Sequence, residues 1–337
     1  MVTSLAFLLT QLPGHRMSTD REARHQAVLP RETLQLLDPQ PGETWVDCTV
    51  GAGGHARLLA ERLGPTGRLI GLDQDPTMLD LARPRLAGWP VTLVPANFDQ
   101  LPSVLARLGI AQVEGVLADL GFASDQMDEA TRGLSFREDG PLDMRLDPQS
   151  TVRAADLVNT LSESALADLF WEYGEERYSR RVARRIVERR QTVPFSTTGE
   201  LAEVVRRCVP RTGGIDPATR VFQALRIAVN DELGALDRLL AALPPLVKPG
   251  GRVGIISFHS LEDRRVKQAF RQRELWQPLT KKPVQADADE LARNPRARSA
   301  KLRVARRRAT NPDSASDRCF QQLVPTCSSL NAYGDHG

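Results

Sequence analysis

Cysteine is scarce in this chain, with four residues among 337. They form no CxxC pair and no cysteine–histidine spacing typical of zinc, so neither a disulfide framework nor a zinc site organises the fold. The four are Cys48, Cys208, Cys319 and Cys327. His, Asp and Glu residues also show no ligand spacing, so the sequence predicts no metal. We expect a reducing, cytoplasmic compartment.

Long apolar runs are missing as well. The apolar start, residues 1–10, is too short to cross a bilayer and has no basic residue before it, so we expect neither a membrane partner nor a signal peptide. Residues 1–24 are predicted to be a poorly ordered extension. The polar tail, residues 309–337, has little periodicity and is predicted to be disordered.

A large net charge is absent too, because 45 Lys and Arg oppose 42 Asp and Glu to give +3. A polyanionic partner must therefore be bound by local clusters. One cluster lies at i, i+4, i+7 and i+8 of a predicted helix: Arg177, Arg181, Arg184 and Arg185. Residues 281–308 hold ten more Lys or Arg against three acids. Charge runs are usually solvated faces, yet two of them on a nearly neutral protein favour a phosphate backbone as partner.

Short apolar runs, by contrast, alternate regularly with helical patterns. Residues 44–46, 68–72, 91–94 and 113–117 are predicted strands, and the alternation predicts a parallel, doubly wound α/β sheet. Ligands of such sheets bind at the carboxyl ends of the strands. The polar residues at those ends are Asp47, Asp73, Asn97 and Asp119.

The alternation then stops. No convincing strand follows until after residue 212, and the composition predicts an inserted all-helical domain over residues 126–212. The α/β domain is therefore split into residues 25–125 and 213–308. Its second part should contain a long helix over residues 217–243, a buried fifth strand at 253–257, and a hairpin formed by residues 276–280 and 300–305.

A glycine turn follows the first strand and opens a helix. Gly51-x-Gly53-x-x-Ala56, with Asp73 ending the next strand, matches the glycine pattern that binds nucleotide-like ligands, since glycine permits positive φ and close approach of a ligand. Asp73 could accept hydrogen bonds from both hydroxyls of a ribose. A tight strand-to-helix connection without a ligand is the alternative. His55, at the helix start, fits an orienting or capping role.

Three further segments could carry chemistry. In Asp119-Leu-Gly-Phe122 the acid could accept hydrogen bonds from an amine and the aromatic ring could stack on a flat base, or they could be a helix cap and a core residue. The charged loop over residues 140–147 could meet a ligand or only connect. His259 follows the fifth strand, at the same rim, and Ser260 with Asp263 is interpreted as a helix cap.

The motifs taken together resemble the ribosomal RNA small subunit methyltransferase H family, also called the MraW family. They occur in order as HQAVLPRE, VDCTVGAGGHARLL, GLDQDP, DLGFASDQMDEATRGLSF, GPLDMRLD, ISFHSLEDR, TKKP and NPRARSAKLR, over residues 25–308. The resemblance implies a class I, Rossmann-like S-adenosylmethionine-dependent methyltransferase with an inserted helical domain. It implies methylation of the N4 amine of a cytosine in the decoding centre of 16S rRNA, on naked rRNA or on the assembled small subunit.

The resemblance also assigns cofactor contacts. Gly53, Gly54 and His55 would hold the methionine end, Asp73 the ribose and Phe98 the adenine. Asp119 and Gln126 would complete the pocket. This sequence departs from the family at Ala123 and Ala56, where serine is usual.

The implied chemistry needs a group that accepts the proton of the amine, and Asp119 and then His259 are the candidates. An NAD-dependent dehydrogenase shares the glycine turn and the acid, but no second nucleotide-binding half is found in the sequence. An RNA-binding ribosome assembly factor without turnover is the other alternative. The sequence leaves the oligomeric state open, including a homodimer.

Overall fold

One seven-stranded sheet organises the part of the chain that the structure, a computed structural model, describes: residues 27–122, 126–127, 129–211 and 214–309. The strand order is β3-β2-β1-β4-β5-β7-β6, and β7 alone runs antiparallel to its neighbours β5 and β6. The strands are β1 Thr44–Asp47, β2 Arg68–Asp73, β3 Val91–Pro95, β4 Val113–Asp119, β5 Val247–Ser257, β6 Trp276–Pro278 and β7 Lys301–Arg307.

Twelve α-helices accompany the sheet within the described ranges. They are α1 Pro30–Leu37, α2 Gly54–Leu63, α3 Pro76–Leu86, α4 Leu101–Arg107, α5 Ala154–Thr160, α6 Glu163–Gly174, α7 Ser179–Arg190, α8 Thr198–Cys208, α9 Ala218–Asn230, α10 Glu232–Leu246, α11 Ser260–Ala269 and α12 Ala288–Arg293. Among these helices none has both the length and the apolar character that a membrane crossing requires.

The predicted strands and the final hairpin are confirmed, with shifts of one or two residues at their ends except in β5, which begins at Val247 and not at residue 253. The single long helix predicted over residues 217–243 is wrong, because α9 and α10 are separated at Asp231, whose φ of 46° is left-handed and ends a helix. The predicted extension over residues 1–24, the tail beyond Ala309 and Ala123 lie outside the described residues. Ala56, the other departure from the family, is buried in the apolar core.

The apolar core has separate parts for the sheet and for the helical segment. One cluster lies on each side of the sheet, and a third joins buried side chains between Leu134 and Val229. Helix α9, which the sequence had placed in the α/β domain, contributes Val221 and Leu225 to the third cluster, whereas α10 contributes Leu236 and Leu239 to a sheet cluster. The packing therefore changes from the insert to the sheet at Asp231.

Trp45 fixes the packing of the two central strands. Its ring is fully buried, its Nε1 donates to Glu43 Oε2 at 2.8 Å, and the residue pairs in register with Gly115 of β4. A Cβ at Gly115 would collide with the ring of Trp45. Glycine is therefore required here by close packing and not by backbone conformation.

We predict that Gly115→Ala lowers the free energy of unfolding by about 1–3 kcal/mol, because a methyl group forced into a packed core displaces its neighbours. Gly214→Ala is the matched control, since nothing lies within 4 Å of a Cβ added there. Urea unfolding of both variants measures the difference. Equal stability of the two would show that Trp45 relaxes without cost.

Candidate active site

The carboxyl ends of the parallel strands border the main cavity of the described structure, as the sequence predicts. It encloses about 1010 Å³ of empty space, part of it open to solvent. Its walls carry Asp73, Asn97 and Asp119 from the strand ends and Leu146 from the helical segment. The remaining lining residues discussed below are Gly51, Ala52, Gly54, His55, Gln74, Phe98, Phe122, Gln126, Phe258 and Arg296.

The glycine turn forms one wall of the cavity. Gly51 and Gly53 have φ of 52° and 91°, and helix α2 begins at Gly54 with no side chain capping it. Its first N–H groups are therefore free of intrahelical partners. Gly51 and Gly54 line the cavity, whereas Gly53 does not, so Gly53 serves through its backbone conformation.

Asp73 ties the turn to the second strand. Its Oδ2 accepts a hydrogen bond from Gly51 N at 2.8 Å, and its Oδ1 accepts one from Asp75 N at 2.9 Å. Burial raises the pKa of Asp73 to about 6, although these two backbone donors act in the opposite direction. The carboxylate is thus placed at the rim with both oxygens oriented.

Asp47 lies beneath the cavity, at the end of β1. It is fully buried; Oδ1 accepts from Thr49 N at 3.1 Å, whereas Oδ2 has no hydrogen-bond partner among the described residues. Burial raises the pKa of Asp47 to about 7. The sequence marked this position as a strand end but did not indicate that the acid would be buried with one oxygen lacking a partner among the described residues.

His55 and Asp119 meet across the cavity. His55 Nε2 lies 3.6 Å from Asp119 Oδ2, and neither His55 Nε2 nor Asp119 Oδ1 has a hydrogen-bond partner among the described residues. Burial lowers the pKa of His55 to about 4, so the ring is neutral at pH 7. Burial also raises the pKa of Asp119 well above its usual value, and the nearby Asp47 adds to the shift. Asp119 is 23% exposed and caps no described helix, so its carboxyl group remains available to a ligand.

Phe98, which follows β3 in the chain, and Gln126, which follows β4, also line the cavity. Gln126 is buried, and its Nε2 donates to Asp75 Oδ2 at 2.8 Å. Arg132 Nη1 lies 2.6 Å from the same oxygen. Burial by itself would raise the pKa of Asp75, but these partners hold it below its usual value. An ionised Asp75 thus links the sheet to the first residues of the helical insert.

Several lining residues were not assigned to the site from the sequence, among them Arg296, Phe258 and Leu146. Arg296, in the 3₁₀ turn Pro295–Arg298, donates from Nη2 to the carbonyl oxygen of Phe122 at 3.0 Å. Phe258 and Leu146 add apolar surface. Arg296 belongs to the second basic cluster, where Arg303 pairs with Asp263 at 2.6 Å and Arg307 donates to Pro244 O at 2.9 Å. Arg303 and Arg307 of that cluster therefore stabilise the fold. The local sequence does not reveal which arginines of the cluster have this role.

His259 does not line the cavity. It is the N-cap of α11: Nδ1 accepts from Glu262 N at 3.4 Å, and Glu262 Oε2 accepts from His259 N at 3.3 Å. The predicted cap by Ser260 with Asp263 is therefore wrong by one residue. Ser260 instead donates to Glu175 Oε2 at 2.6 Å, because the helix begins at Ser260 and its hydroxyl points to α6.

Glu232, His259 and Glu262 form a cluster whose potential metal-ligand atoms lie within 4.8 Å of one another. Both ring nitrogens of His259 lie against Glu262: Nδ1 accepts a hydrogen bond from Glu262 N at 3.4 Å, and Nε2 lies 3.2 Å from Glu262 Oε1. Glu232 is also engaged in a bidentate pair with Arg226, at 2.7 and 2.9 Å.

The loop over residues 140–147 acts mainly as a connection. Asp143 accepts from Arg145 Nε at 2.7 Å and from Arg145 Nη2 at 2.8 Å, which neutralises both charges inside the loop. Gly140 packs against the carbonyl oxygen of Ala130, with no room for a Cβ. Only Leu146 of this loop reaches the cavity.

The sheet order and the glycine turn beside the acid that ends the second strand are those of a class I methyltransferase. A sequence profile of the MraW methylase family matches residues 22–308, and the chain belongs to that family. It is 52% identical over 291 residues to the ribosomal RNA small subunit methyltransferase H of Sorangium cellulosum, covering 85% of this chain and 92% of that protein. The protein of the same name from Synechococcus sp. is 51% identical over 311 residues, covering 88% and 99%. The one from Deinococcus deserti is 52% identical over 285 residues, covering 84% and 93%.

The cofactor of this family is S-adenosylmethionine. The cavity fits it in chemical terms, because His55 and Asp119 both line it and each has a buried polar atom, Nε2 and Oδ1, without a hydrogen-bond partner among the described residues. The glycine turn adds free N–H groups. Gly54 and His55 would hold the methionine end, Asp73 the ribose and Phe98 the adenine, with Gly53 shaping the turn.

We predict that Asp73→Asn weakens S-adenosylmethionine binding by about 1–3 kcal/mol, since the ribose hydroxyls lose a charged acceptor. The affinity of the wild type should rise as pH increases through about 6, because the raised pKa of Asp73 means that the carboxylate ionises only there. The variant should show no such rise. Asp80→Asn, an exposed carboxylate paired with Arg83, is the control. Calorimetry between pH 5 and pH 8 gives the affinity of the wild type and of Asp73→Asn at each pH. The same pH dependence in both proteins would contradict the assignment.

Proposed function

We propose that this protein transfers the methyl group of S-adenosylmethionine to the exocyclic N4 amine of a cytosine in the decoding centre of small-subunit rRNA. Family membership and relatives named for small-subunit rRNA methylation support the substrate class. The observation that carries the proposal is that Asp119 and Phe122 both lie on the cavity wall. Asp119 lies 3.6 Å from His55, which follows the glycine turn. An acid and an aromatic ring suit an amine on a flat base.

The acceptor amine is a weak nucleophile, because its lone pair is delocalised into the ring. When bound, S-adenosylmethionine supplies an electrophilic methyl group; a nitrogen–carbon bond forms, the sulfur–carbon bond breaks and the amine loses a proton. The chain must orient the amine and accept that proton. No cysteine nucleophile is needed, and Cys48 is a buried residue of the core.

Asp119 is the proposed contact of the amine. Its backbone N–H donates to Thr49 Oγ1 at 2.6 Å, which fixes the residue at the strand end. Burial raises the pKa of its carboxyl group, which makes the ionised form a stronger base. Arg296 acts in the opposite direction and favours the charged form. His259 remains the second candidate, although its ring caps α11 and does not border the cavity.

The helical insert is proposed to bind the rRNA. Arg177 and Arg181 are exposed and form no ion pair with any residue in the described ranges, whereas Arg184 and Arg185 lie 3.6 and 3.0 Å from Glu163 and Glu188. Two of the four arginines in this cluster therefore have acidic partners. Trp171 and Tyr178 are exposed on the same segment and offer rings for stacking.

The assembly-factor alternative shares this fold and RNA binding but lacks turnover. A tritiated-methyl transfer assay, with naked 16S rRNA and with small-subunit particles as substrates, separates the two functions and identifies the preferred substrate. Nuclease digestion and chromatography of the product then show whether the label is on cytosine N4. Label on another atom, or no label on either substrate, would contradict the proposal.

We predict that Asp119→Asn lowers the single-turnover rate by about 10²-fold or more, because proton acceptance in the transition state typically contributes at least that much. Cofactor affinity should change far less. His259→Ala should lower the melting temperature through loss of the helix cap and leave the pH dependence of the rate unchanged. Equal losses of rate and cofactor affinity in Asp119→Asn would restrict that residue to cofactor binding. A changed pH profile in His259→Ala would make His259 the acceptor.

We predict that Arg177→Gln with Arg181→Gln weakens rRNA binding and reduces its salt slope by about two, at roughly one unit for each lost phosphate contact. The predicted helical stripe is wrong at Arg177, which precedes α7, whereas Arg181, Arg184 and Arg185 lie on it. Arg184→Gln with Arg185→Gln is the control, because those arginines already pair with acids. Filter binding at several salt concentrations gives the slopes, and calorimetry should show unchanged cofactor affinity in both. Identical slopes for the two pairs would identify α7 as an ordinary solvated face.

A further inference from the structure

Phe122 is held by two different parts of the molecule. It follows β4, the strand that ends in Asp119, yet its side chain packs against the core cluster of the helical insert. Its carbonyl oxygen accepts the hydrogen bond from Arg296 at 3.0 Å, and the residue borders the cavity. An aromatic residue of the sheet domain is thus positioned partly by the insert.

Arg226, from helix α9 of the insert, supplies the contact to the ring. Its guanidinium carbon lies 4.7 Å from the centroid of Phe122. Nε and Nη2 donate to the two oxygens of Glu232 at 2.7 and 2.9 Å, and the two side chains are only 14% and 11% exposed. A bidentate pair with little solvent around it fixes the plane of the guanidinium. The cation–π contact then restricts the ring of Phe122.

Comparable pairs elsewhere in the insert do not reach the cavity. Arg206 lies 5.5 Å from the ring of Phe136, and Arg189 lies 5.1 Å from that of Phe195. Neither ring borders the cavity, and Arg206 is 40% exposed. Among the arginine–phenylalanine contacts of the described residues, the one at Phe122 has the shortest distance, the least exposed cation and the only ring on the cavity wall.

We propose that Arg226, oriented by Glu232, is a positioning residue that fixes the ring of Phe122 as the stacking surface for the acceptor base. The inference rests on the proposed function, because it requires a base at Phe122. It assigns the geometry of the acceptor subsite to the insert and leaves the cofactor contacts to the sheet domain. Loss of the pair should therefore act on the RNA substrate and not on cofactor binding.

The test compares three variants on small-subunit particles. Phe122→Leu removes the ring, and Arg226→Met with Glu232→Gln removes both members of the ion pair, so that neither is left buried without the other. Each should lower kcat/KM by about tenfold, mainly through KM, within the roughly 5- to 150-fold range expected for one base stacked on an aromatic ring. The third variant combines all three substitutions. Its kcat/KM should be no lower than that of Phe122→Leu alone, since Arg226 acts through that ring. Cofactor affinity by calorimetry should stay within about twofold of the wild type.

Arg206→Met with Asp216→Asn is the matched control, since it removes an ion-paired cation–π contact in the same insert but away from the cavity. It should retain wild-type kcat/KM. Should the Arg226 pair variant unfold, Arg226→Lys keeps the charge but loses the planar stack and should show the same KM effect. Unchanged KM in Phe122→Leu, or additive losses in the triple variant, would overturn the inference. Methylation by the wild-type protein in the same assay would leave the proposed function intact. A wild type that never methylates cytosine N4 would overturn both.

Discussion

The rim of the sheet depends on carboxylates that satisfy backbone N–H groups where strands end. Asp73 accepts from Gly51 N and from Asp75 N, which joins the glycine turn after β1 to the loop after β2. Asp75 in turn accepts from Gln126 and pairs with Arg132, at 2.8 and 2.6 Å. A buried N–H without a partner costs about as much as a lost hydrogen bond, so these acids determine the backbone of the turn before any ligand binds. These contacts hold the glycine turn and the end of β2, which together form one side of the cavity.

Burial of ionisable groups gives the cavity its chemical character. Burial raises the pKa of Asp47 to about 7 and lowers that of His55 to about 4, and it raises the pKa of Asp119 well above its usual value. In the free protein these groups are polar but largely uncharged. A cationic ligand in the cavity would favour the ionised form of the two carboxyl groups. Asp75, although fully buried, stays ionised because Gln126, Thr77 and Arg132 contact it. Groups close in sequence therefore differ in charge because their partners differ.

Sequence periodicity was sufficient to predict the strands and the hairpin, because each is a local apolar pattern bounded by turn residues. It was also sufficient for the strand-end acids, since chain order places them at one rim. It failed at Asp231, where a left-handed residue interrupts a continuous apolar pattern, and at Ser260, where His259 takes the cap. It also missed Arg296 and Phe258 at the cavity. Those side chains arrive through the packing of distant segments, and no local spacing encodes that packing.

The junction at Asp231 links the two cores mechanically. Helix α9 packs into the core of the insert and α10 into that of the sheet, and Arg226 and Glu232 stand on opposite sides of the junction. Their bidentate pair has little room to adapt, because both oxygens and two nitrogens are already engaged. A rotation of the insert against the sheet would therefore have to break the pair or carry it along, and the ring of Phe122 lies directly on that guanidinium. A change in the angle between the insert and the sheet would consequently also change the position of the Phe122 ring at the cavity.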